Sequence, residues 1–287
     1  MLTDRSGRGW QSVQILGTIF YGLISGFAEF LPISASAHQF IFSYMTGFSG
    51  NHAFVQMMIS IGCLAAVFLC CRSRLTHIRR ELRLVSMPKK RRKRVPDMQA
   101  VSDFRLVMTA SVSMLLGLFC YKKVNQTFSQ LTWIGLTLIL TGILVYLPQF
   151  TAPGNRNSRG MNRVEGLSFG LFCALSVIPG LSRTALVTYF GHKRKCSGSY
   201  CMELVLLFSI PFLLGMILVH LITVLSMGAT MTWAMFFVGL LAATCAFAGA
   251  LTGITLMRYL AVKFDFHGFS YYCWGLSFFC FIYYLMT

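Results

Sequence analysis

The sequence predicts an all-α polytopic membrane protein, with six transmembrane helices and two re-entrant helical hairpins arranged as inverted-topology repeats. Three observations predict the membrane class. Of the 287 residues, 56% are apolar and only eight are acidic. Charged residues make up 11% of the chain, whereas about 25% is usual in soluble domains. The segment 204–257 contains no Asp, Glu, Lys or Arg and, because roughly 20 apolar residues cross a bilayer, is long enough for two spans.

The transmembrane helices are predicted from the apolar segments in chain order. The charge-free segment divides into two spans, with a turn at 226–230. Four further segments are long enough to cross a bilayer. We therefore expect the whole chain, 1–287, to form one integral membrane domain. The predicted spans are 53–71, 104–120, 131–149, 203–226, 233–256 and 266–286.

Basic residues are concentrated in the connection 72–102, after the first span. Eleven of the 25 Lys and Arg residues lie between Arg72 and Arg94. The net charge of +17 would also suit a nucleic-acid partner, but the largest cluster of charge lies in a loop between spans. The positive-inside rule assigns such a loop to the cytoplasm, where it can attract anionic membrane lipids. We expect no nucleic-acid partner.

Two apolar segments are predicted to be re-entrant hairpins rather than spans. Segment 164–190 has basic residues on both flanks, which places both of its ends on the cytoplasmic side. Segment 11–46 leads into a span that starts outside, and it is broken by Pro32, which removes a backbone donor from a helix. We therefore expect this segment to open outward, in the opposite direction.

The hairpins divide the chain into two halves of opposite orientation, 1–150 and 151–287. Each half contains one hairpin and three predicted spans. In inverted repeats of this kind, the broken helices meet near the bilayer midplane and form the binding site there. The sequence therefore predicts a functional site between the two hairpins.

The ten cysteines do not form a recognisable disulfide or zinc pattern. No two of them have CxxC spacing, and structural zinc sites usually need such clustered ligands. Eight of the ten lie in apolar segments. We interpret them as small buried apolar side chains.

Two charged residues, Glu29 and Arg183, fall inside the predicted hairpins. A charge within the hydrocarbon costs at least a few kcal/mol, so it usually marks function. Each lies within four residues of a proline, and backbone freed by a broken helix must be satisfied inside protein or along a wet cavity. Hydroxyl and imidazole side chains lie close by in the sequence. The predicted polar pocket contains Glu29, Ser34, Ser36, His38, Ser182, Arg183 and Thr184.

The residue types in this pocket suit phosphate. Arginine presents a fixed fork of donors to phosphate oxygens, and the turn Gly180–Arg183 would add backbone donors if it starts a helix. Glu29 would hold a divalent cation or act as a base, and His38 would protonate a leaving group. The alternative is a buried Glu29–Arg183 ion pair that only docks the hairpins. The residues alone leave both interpretations open.

Two motifs resemble signatures of the undecaprenyl-diphosphate phosphatase family, of the bacitracin-resistance type. Gly26–His38, GFAEFLPISASAH, is similar to the first signature, and Pro179–Thr184, PGLSRT, is similar to the second. Glu203 followed by FSIP at 208–211 resembles a third family segment. The three segments come in the family's order, and the resemblance extends over the whole chain.

The resemblance implies an enzyme of the bacterial inner membrane. Such an enzyme hydrolyses undecaprenyl diphosphate to undecaprenyl phosphate and inorganic phosphate, which recycles the lipid carrier for peptidoglycan synthesis and confers bacitracin resistance. It also implies a divalent cation, Mg²⁺ or Ca²⁺, and a polyprenyl diphosphate lipid as the substrate. The sequence leaves the oligomeric state open, with a homodimer as one alternative.

The resemblance also assigns roles to residues. Glu29 matches the second acid of the family's paired-acid motif and is the implied metal ligand. The implied catalytic residues are Glu29, Ser34, His38, Ser182 and Arg183. The substrate-binding residues predicted from the pocket and the motifs together are Ser36, Gly180, Ser182, Arg183 and Thr184.

Three positions depart from the family's polar pattern, and two further positions, Ala37 and Ala185, have alanine in place of a family glycine. Ser25 stands in place of the first acid or glutamine, Ala35 in place of the second serine, and Cys273 in place of an arginine. The attacking oxygen would then come from Ser34, Ser36 or a water molecule. These departures motivate one alternative, a catalytically lapsed homologue. A second alternative is a polyprenyl-phosphate flippase or transporter, which would use the same broken helices.

Overall fold

The computed structural model describes residues 4–48, 53–92, 94–152, 154–227, 232–263 and 266–286. Within these residues the chain forms ten α-helices and no β-strand, so the all-α class is confirmed. The helices are α1 (Asp4–Phe30), α2 (Ala35–Thr46), α3 (Ala53–Ser86), α4 (Met98–Phe128), α5 (Leu131–Tyr146), α6 (Arg163–Leu175), α7 (Arg183–Lys193), α8 (Gly198–Ser226), α9 (Trp233–Lys263) and α10 (His267–Met286).

Six helices in the described ranges are long and apolar enough to cross a membrane. They are α3, α4, α5 with its continuation to Phe150, α8, α9 and α10, and each corresponds to one predicted span. The six predicted spans are therefore confirmed as helices, and the chain is a multi-pass membrane protein. Of the turn predicted at 226–230, residues 228–230 lie outside the described residues.

The basic connection is shorter than predicted. Helix α3 continues to Ser86 and α4 begins at Met98, so the connection is 87–97 and the expectation of a loop over 72–102 is wrong. The helices continue past the apolar spans because their inner ends still pack: Ile78 is buried, and the fully buried Glu81 accepts hydrogen bonds from Arg94 and from the backbone N–H of Asp97.

The helices pair in a way that relates the two halves. Helix α1 packs along α9, and α6 packs along α4. Both pairs are close, since a Cβ on Gly26 would overlap the backbone of Ala246, and a Cβ on Gly170 would overlap the backbone of Ala110. Small residues allow such close approach between helices in membranes. Helices α3 and α8 pack together, as do α5 and α10.

The two predicted hairpin segments fold as helix–turn–helix units. The first consists of α1, a turn at 31–34 and α2, and the second of α6, a turn at 176–182 and α7. Helices α2 and α7 have 12 and 11 residues. At 1.5 Å per residue, helices of that length cover about half of a hydrocarbon core of about 30 Å, so neither can cross it alone.

A buried carboxylate joins four segments at the basic end of the molecule, where α3 ends and α4 begins. Asp103 of α4 is fully buried and accepts hydrogen bonds from Arg74 of α3 and from the Tyr200 hydroxyl of α8 at 2.7 Å. It also accepts from Ser158, which lies in the linker between the halves. Since a single anion satisfies all three donors, this contact fixes the linker against the spans.

Replacing Asp103 with alanine is expected to destabilise the protein by about 3 kcal/mol, because it removes the buried acceptor that Arg74, Tyr200 and Ser158 share. The estimate takes the lower end of the usual range because the Arg74 side chain keeps 26% exposure and can be rehydrated. Thermal unfolding of the purified protein in detergent measures the change. Arg159→Gln, which removes an exposed ion pair with Asp97, should cost at most about 1 kcal/mol. Equal shifts in the two variants would contradict the prediction.

Candidate functional site

A cavity of about 110 Å³ lies between the turns of the two helix–turn–helix units. Since one water molecule needs about 10–15 Å³ of such space, the cavity can hold several. Helices α1, α2, α3, α4, α7 and α8 contribute to its wall. The polar residues that line it are Glu29, Ser34, Ser36, Gln39, Gln56, Ser60, Tyr121, Asn125, Ser176, Ser182, Arg183 and His220.

The two charged residues of the hairpins meet in this cavity. Nη2 of Arg183 lies 3.0 Å from Oε1 of Glu29, although the residues are 154 positions apart in the sequence. The same nitrogen donates to the Ser209 hydroxyl at 3.0 Å, and the Phe212 ring lies 4.6 Å from the guanidinium carbon. Arg183 is the first residue of α7, so the turn before it determines where the guanidinium lies.

The guanidinium of Arg183 keeps donors for a further acceptor. Its Nε and Nη1 atoms are buried and meet no acceptor among the described residues. An unsatisfied buried donor costs about 1–3 kcal/mol, and more when it is charged. An anion beside Arg183 would satisfy both donors and offset part of the positive charge, so the local chemistry favours an anionic ligand.

Hydroxyl groups connect the two turns directly. The Ser182 hydroxyl donates to the Leu31 carbonyl at 3.1 Å, and the Ser36 hydroxyl accepts from the backbone N–H of Gly180 at 3.3 Å. Each bond joins the turn of one hairpin to that of the other. Ser182 and Ser36 therefore hold the turns in register, in addition to lining the cavity.

Ser34 has an unusual backbone conformation. Its φ of +64° lies in a region that residues other than glycine rarely adopt, and such strain is concentrated at functional sites. Ser34 is the N-cap of α2, where its hydroxyl accepts from the backbone N–H of Ala37 and lies 3.1 Å from the Ser36 hydroxyl. The turn thus presents two adjacent hydroxyls to the cavity.

His38 and Thr184 were expected in this pocket and Gly180 was expected to bind substrate, and none of the three lines the cavity. His38 follows Ser36 by two positions, and such neighbours on a helix do not share a face. Its Nε2 lies 2.7 Å from the Tyr272 hydroxyl of α10, and its Nδ1 lies 2.8 Å from the Ser34 carbonyl. His38 therefore lies beside the first turn, between Ser34 and Tyr272, and its predicted role in catalysis stays a prediction.

The other two exceptions also have local causes. Gly180 has a φ of +94° and turns its carbonyl towards α5, where it accepts from the Thr141 hydroxyl at 2.7 Å. Thr184 is fully buried behind the first turn of α7. Neither residue lines this cavity, and their predicted role in substrate binding stays a prediction.

Sequence reasoning missed several polar residues of the cavity wall. Gln56 of α3 donates to the Tyr21 hydroxyl at 2.6 Å, and the Tyr121 hydroxyl lies 3.2 Å from Nε2 of His220. The signal was present, because Gln56 and His220 are polar residues within apolar spans. His220 lies 11 residues after Ser209 on α8, about 16 Å along the axis, so it belongs to the far end of the cavity.

Comparison of the sequence with known protein families identifies the family of the chain. The model of the bacitracin resistance protein BacA family matches residues 18–279 of the chain, which include both turns and the whole cavity. The chain belongs to the BacA family. The family resemblance of the two sequence motifs is therefore confirmed, and the six apolar helices are those of a multi-pass bacterial membrane protein.

Curated relatives of the BacA-family chain share about a quarter of its residues. A protein named undecaprenyl-diphosphatase from Alkaliphilus metalliredigens is 26% identical over 263 residues, which is 90% of this chain and 94% of the relative. One of the same name from Streptococcus mutans is 26% identical over 283 residues, which is 95% of this chain and 97% of the relative. The similarity thus extends over nearly the full length of each protein.

The three departures from the BacA family pattern have different surroundings. Ser25 is buried outside the cavity wall and donates to the Tyr21 carbonyl of its own helix. Ala35 lines the cavity beside Ser34. The Cys273 thiol lies 3.6 Å from the Pro32 carbonyl, so it packs against the first turn. Glu29 is consequently the only carboxylate among the described residues of the cavity wall.

Proposed function

We propose that this BacA-family protein hydrolyses undecaprenyl diphosphate to undecaprenyl phosphate and inorganic phosphate at the cavity between the hairpin turns. The proposal depends on one observation above all: a buried arginine with two free donors lies beside a single carboxylate in a cavity that admits water. The relatives named as undecaprenyl-diphosphatases support it. The reaction recycles the lipid carrier of peptidoglycan synthesis, and its loss would remove the associated resistance to bacitracin.

Arg183 binds the terminal phosphate of the substrate in this proposal. Its Nε and Nη1 atoms have no acceptor among the described residues, so both can donate to phosphate oxygens. Phosphoryl transfer depends almost entirely on positioning and on stabilising charge over the equatorial oxygens. A guanidinium that is already fixed by Ser209 and Phe212 meets both requirements without rearrangement.

The attacking nucleophile is a water molecule activated by Glu29. The hydroxyls of Ser34 and Ser36 bond to each other and to backbone N–H groups, and among the described residues neither hydroxyl bonds to a carboxylate or an imidazole. Water attacks the terminal phosphorus and gives its proton to Glu29, while the bond from that phosphorus to the bridging oxygen breaks. Undecaprenyl phosphate leaves with that electron pair, and the proton passes to the released phosphate.

The leaving group requires no strong acid. A phosphate monoester has a second pKa of about 6, so it departs as an anion near neutral pH. His38 is therefore proposed as a positioning residue, which holds the strained Ser34 turn against Tyr272. Ser182 and Ser36 have a second positioning role, since they hold the two turns together around the substrate.

A divalent cation fits this site only together with the substrate. The described residues contain no group of three His, Cys, Asp or Glu side chains that could hold a metal ion. Mg²⁺, however, is often held by one or two carboxylates and by substrate phosphates. Glu29 would be the protein ligand of Mg²⁺ or Ca²⁺, and the bound ion would neutralise charge on the diphosphate.

We also propose the inverted-repeat arrangement, with halves 1–150 and 151–287 and re-entrant hairpins. Two equivalences support it. The pairing of α1 with α9 has its counterpart in the pairing of α6 with α4. The last helix of each half holds the turn of the other half: Cys273 of α10 contacts the Pro32 carbonyl, and Thr137 of α5 donates to the Pro179 carbonyl at 2.7 Å.

Phosphate release by the purified protein tests the function. Undecaprenyl diphosphate and farnesyl diphosphate should both release inorganic phosphate, with the longer lipid preferred. A folded, monodisperse preparation that releases no phosphate from either substrate, with Mg²⁺ and Ca²⁺ present, would contradict the proposal. The lipid transporter alternative is not favoured, because the relatives are named as diphosphatases.

Removal of divalent cations is expected to lower phosphate release at least about tenfold, because a bound ion supplies several kcal/mol of charge stabilisation and each 1.36 kcal/mol is a factor of ten in rate. EDTA treatment followed by addition of Mg²⁺ or Ca²⁺ measures the loss and the recovery. Full activity in excess EDTA would contradict the metal proposal and leave the roles of Arg183 and Glu29 standing.

A further inference from the structure

A second cavity lies at the inner ends of α3 and α4, away from the hairpin turns. Its volume is about 600 Å³. Cys63 lines the cavity between the hairpin turns and Arg79 lines this groove, and their separation of 16 positions corresponds to about 24 Å along α3. We call it the inner groove; its wall consists of Leu75, Ile78, Arg79, Leu82, Arg83, Ser86, Met87 and Phe104.

Two arginines of the inner groove have no acidic partner. Arg79 and Arg83 are exposed and form no ion pair with any residue that the structure describes. Glu81 lies between them in sequence, but its carboxylate is buried on another side of α3 and is bound by Arg94 and by the backbone of Asp97. Like charges four residues apart destabilise a helix. An anion between the two guanidinium groups would remove that repulsion.

The apolar wall places the inner groove at the edge of the hydrocarbon layer. Leu75 follows the first predicted span, 53–71, by four residues, and Phe104 begins the second, 104–120. Phe104 and Met87 are 41% and 46% exposed, so the wall is open to its surroundings. The positive-inside rule puts this end in the cytoplasmic leaflet, which contains the anionic lipids. Leu75 and Phe104 are the groove residues nearest the predicted spans, and Arg79 and Arg83 follow Leu75 by four and eight residues along α3. A headgroup phosphate beyond the end of an acyl chain matches this order.

We propose that the inner groove binds one anionic phospholipid of the cytoplasmic leaflet. Arg79 and Arg83 bind the headgroup phosphate through their guanidinium donors, and one acyl chain lies along Leu75 and Phe104. The basic run at 89–94 attracts the same leaflet by charge alone, whereas the groove adds a defined apolar contact that keeps the lipid bound after extraction. This site is independent of the phosphatase reaction.

Native mass spectrometry of the intact protein tests the site. The protein is incubated in detergent with equal amounts of dioleoyl phosphatidylglycerol and dioleoyl phosphatidylcholine. The wild type should retain one phosphatidylglycerol in preference to phosphatidylcholine. The double variant Arg79→Gln, Arg83→Gln should bind that lipid about 30-fold more weakly, since each arginine near an anionic surface contributes a factor of about five.

The double variant Lys122→Gln, Lys123→Gln is the matched control. It removes the same two charges from exposed residues at the opposite end of α4, so its lipid binding should equal that of the wild type. Equal losses in the two double variants, or no loss in either, would overturn the proposal. Equal retention of phosphatidylcholine by the wild type would do the same. Displacement of the lipid by glycerol phosphate at equal concentration would assign the arginines to a soluble phosphate instead. Unfolding temperatures of all variants verify that each is folded.

Discussion

Replacing Arg183 with glutamine is expected to lower phosphate release from undecaprenyl diphosphate about a thousandfold. Loss of one preorganised donor at the site of developing charge typically costs 10²–10³ in rate, and this variant also loses the positive charge. The rate of Arg183→Lys should fall between those of the wild type and Arg183→Gln, because lysine keeps the charge but not the fork of donors. Phosphate release at saturating substrate measures the effect.

The control for this variant lies at the end of the same helix. Arg194, the C-cap residue directly after α7, also lies over a phenylalanine ring, at 5.4 Å from Phe190, and also pairs with a glutamate, Glu165, at 3.2 Å. It does not line the cavity. Arg194→Gln should therefore keep activity within about threefold of the wild type, since only a partly exposed ion pair is lost. Activity above a tenth of the wild-type rate in Arg183→Gln would remove Arg183 from the catalytic machinery.

The parts of the fold that could be predicted are those that the bilayer imposes. A charge-free segment as long as 204–257 has few alternatives to two spans. The meeting of Glu29 with Arg183 was also predictable, because two charges beside broken helices in an apolar chain stabilise each other best as a pair. These predictions need only the solvent and the charges, and not the details of packing.

The parts that could not be predicted depend on helix rotation and helix ends. His38 and Ser36 belong to the same motif, but only the packing of α2 against α10 decides which of them faces the cavity. The contribution of Gln56 depends in the same way on the rotation of α3. The inner end of α3 extends to Ser86 because Glu81 has partners 13 and 16 residues further along the chain, and such partners are not visible in a local pattern.

Replacing Glu29 with glutamine is expected to lower phosphate release at least about a hundredfold. A general base contributes about 10²–10⁴ to the rate, and glutamine keeps the volume and an oxygen that can accept from Arg183 while it removes the base. Glu165→Gln is the control, since it removes another buried carboxylate that pairs with arginines, outside the cavity. That control should lower the unfolding temperature but keep the rate per folded molecule within about twofold of the wild-type rate. An equal loss of rate in Glu29→Gln and Glu165→Gln would contradict the prediction.

The pair Glu29–Arg183 would behave differently if it only docked the hairpins. Each single variant leaves one buried charge without its partner, which is strongly destabilising, whereas removal of both charges is often nearly neutral. A docking pair therefore predicts that Glu29→Gln combined with Arg183→Gln recovers both the unfolding temperature and the rate. A catalytic pair predicts that the double variant recovers stability and stays inactive, because neither the phosphate donors nor the base has returned. The separation of stability from rate in this one variant decides between the two interpretations.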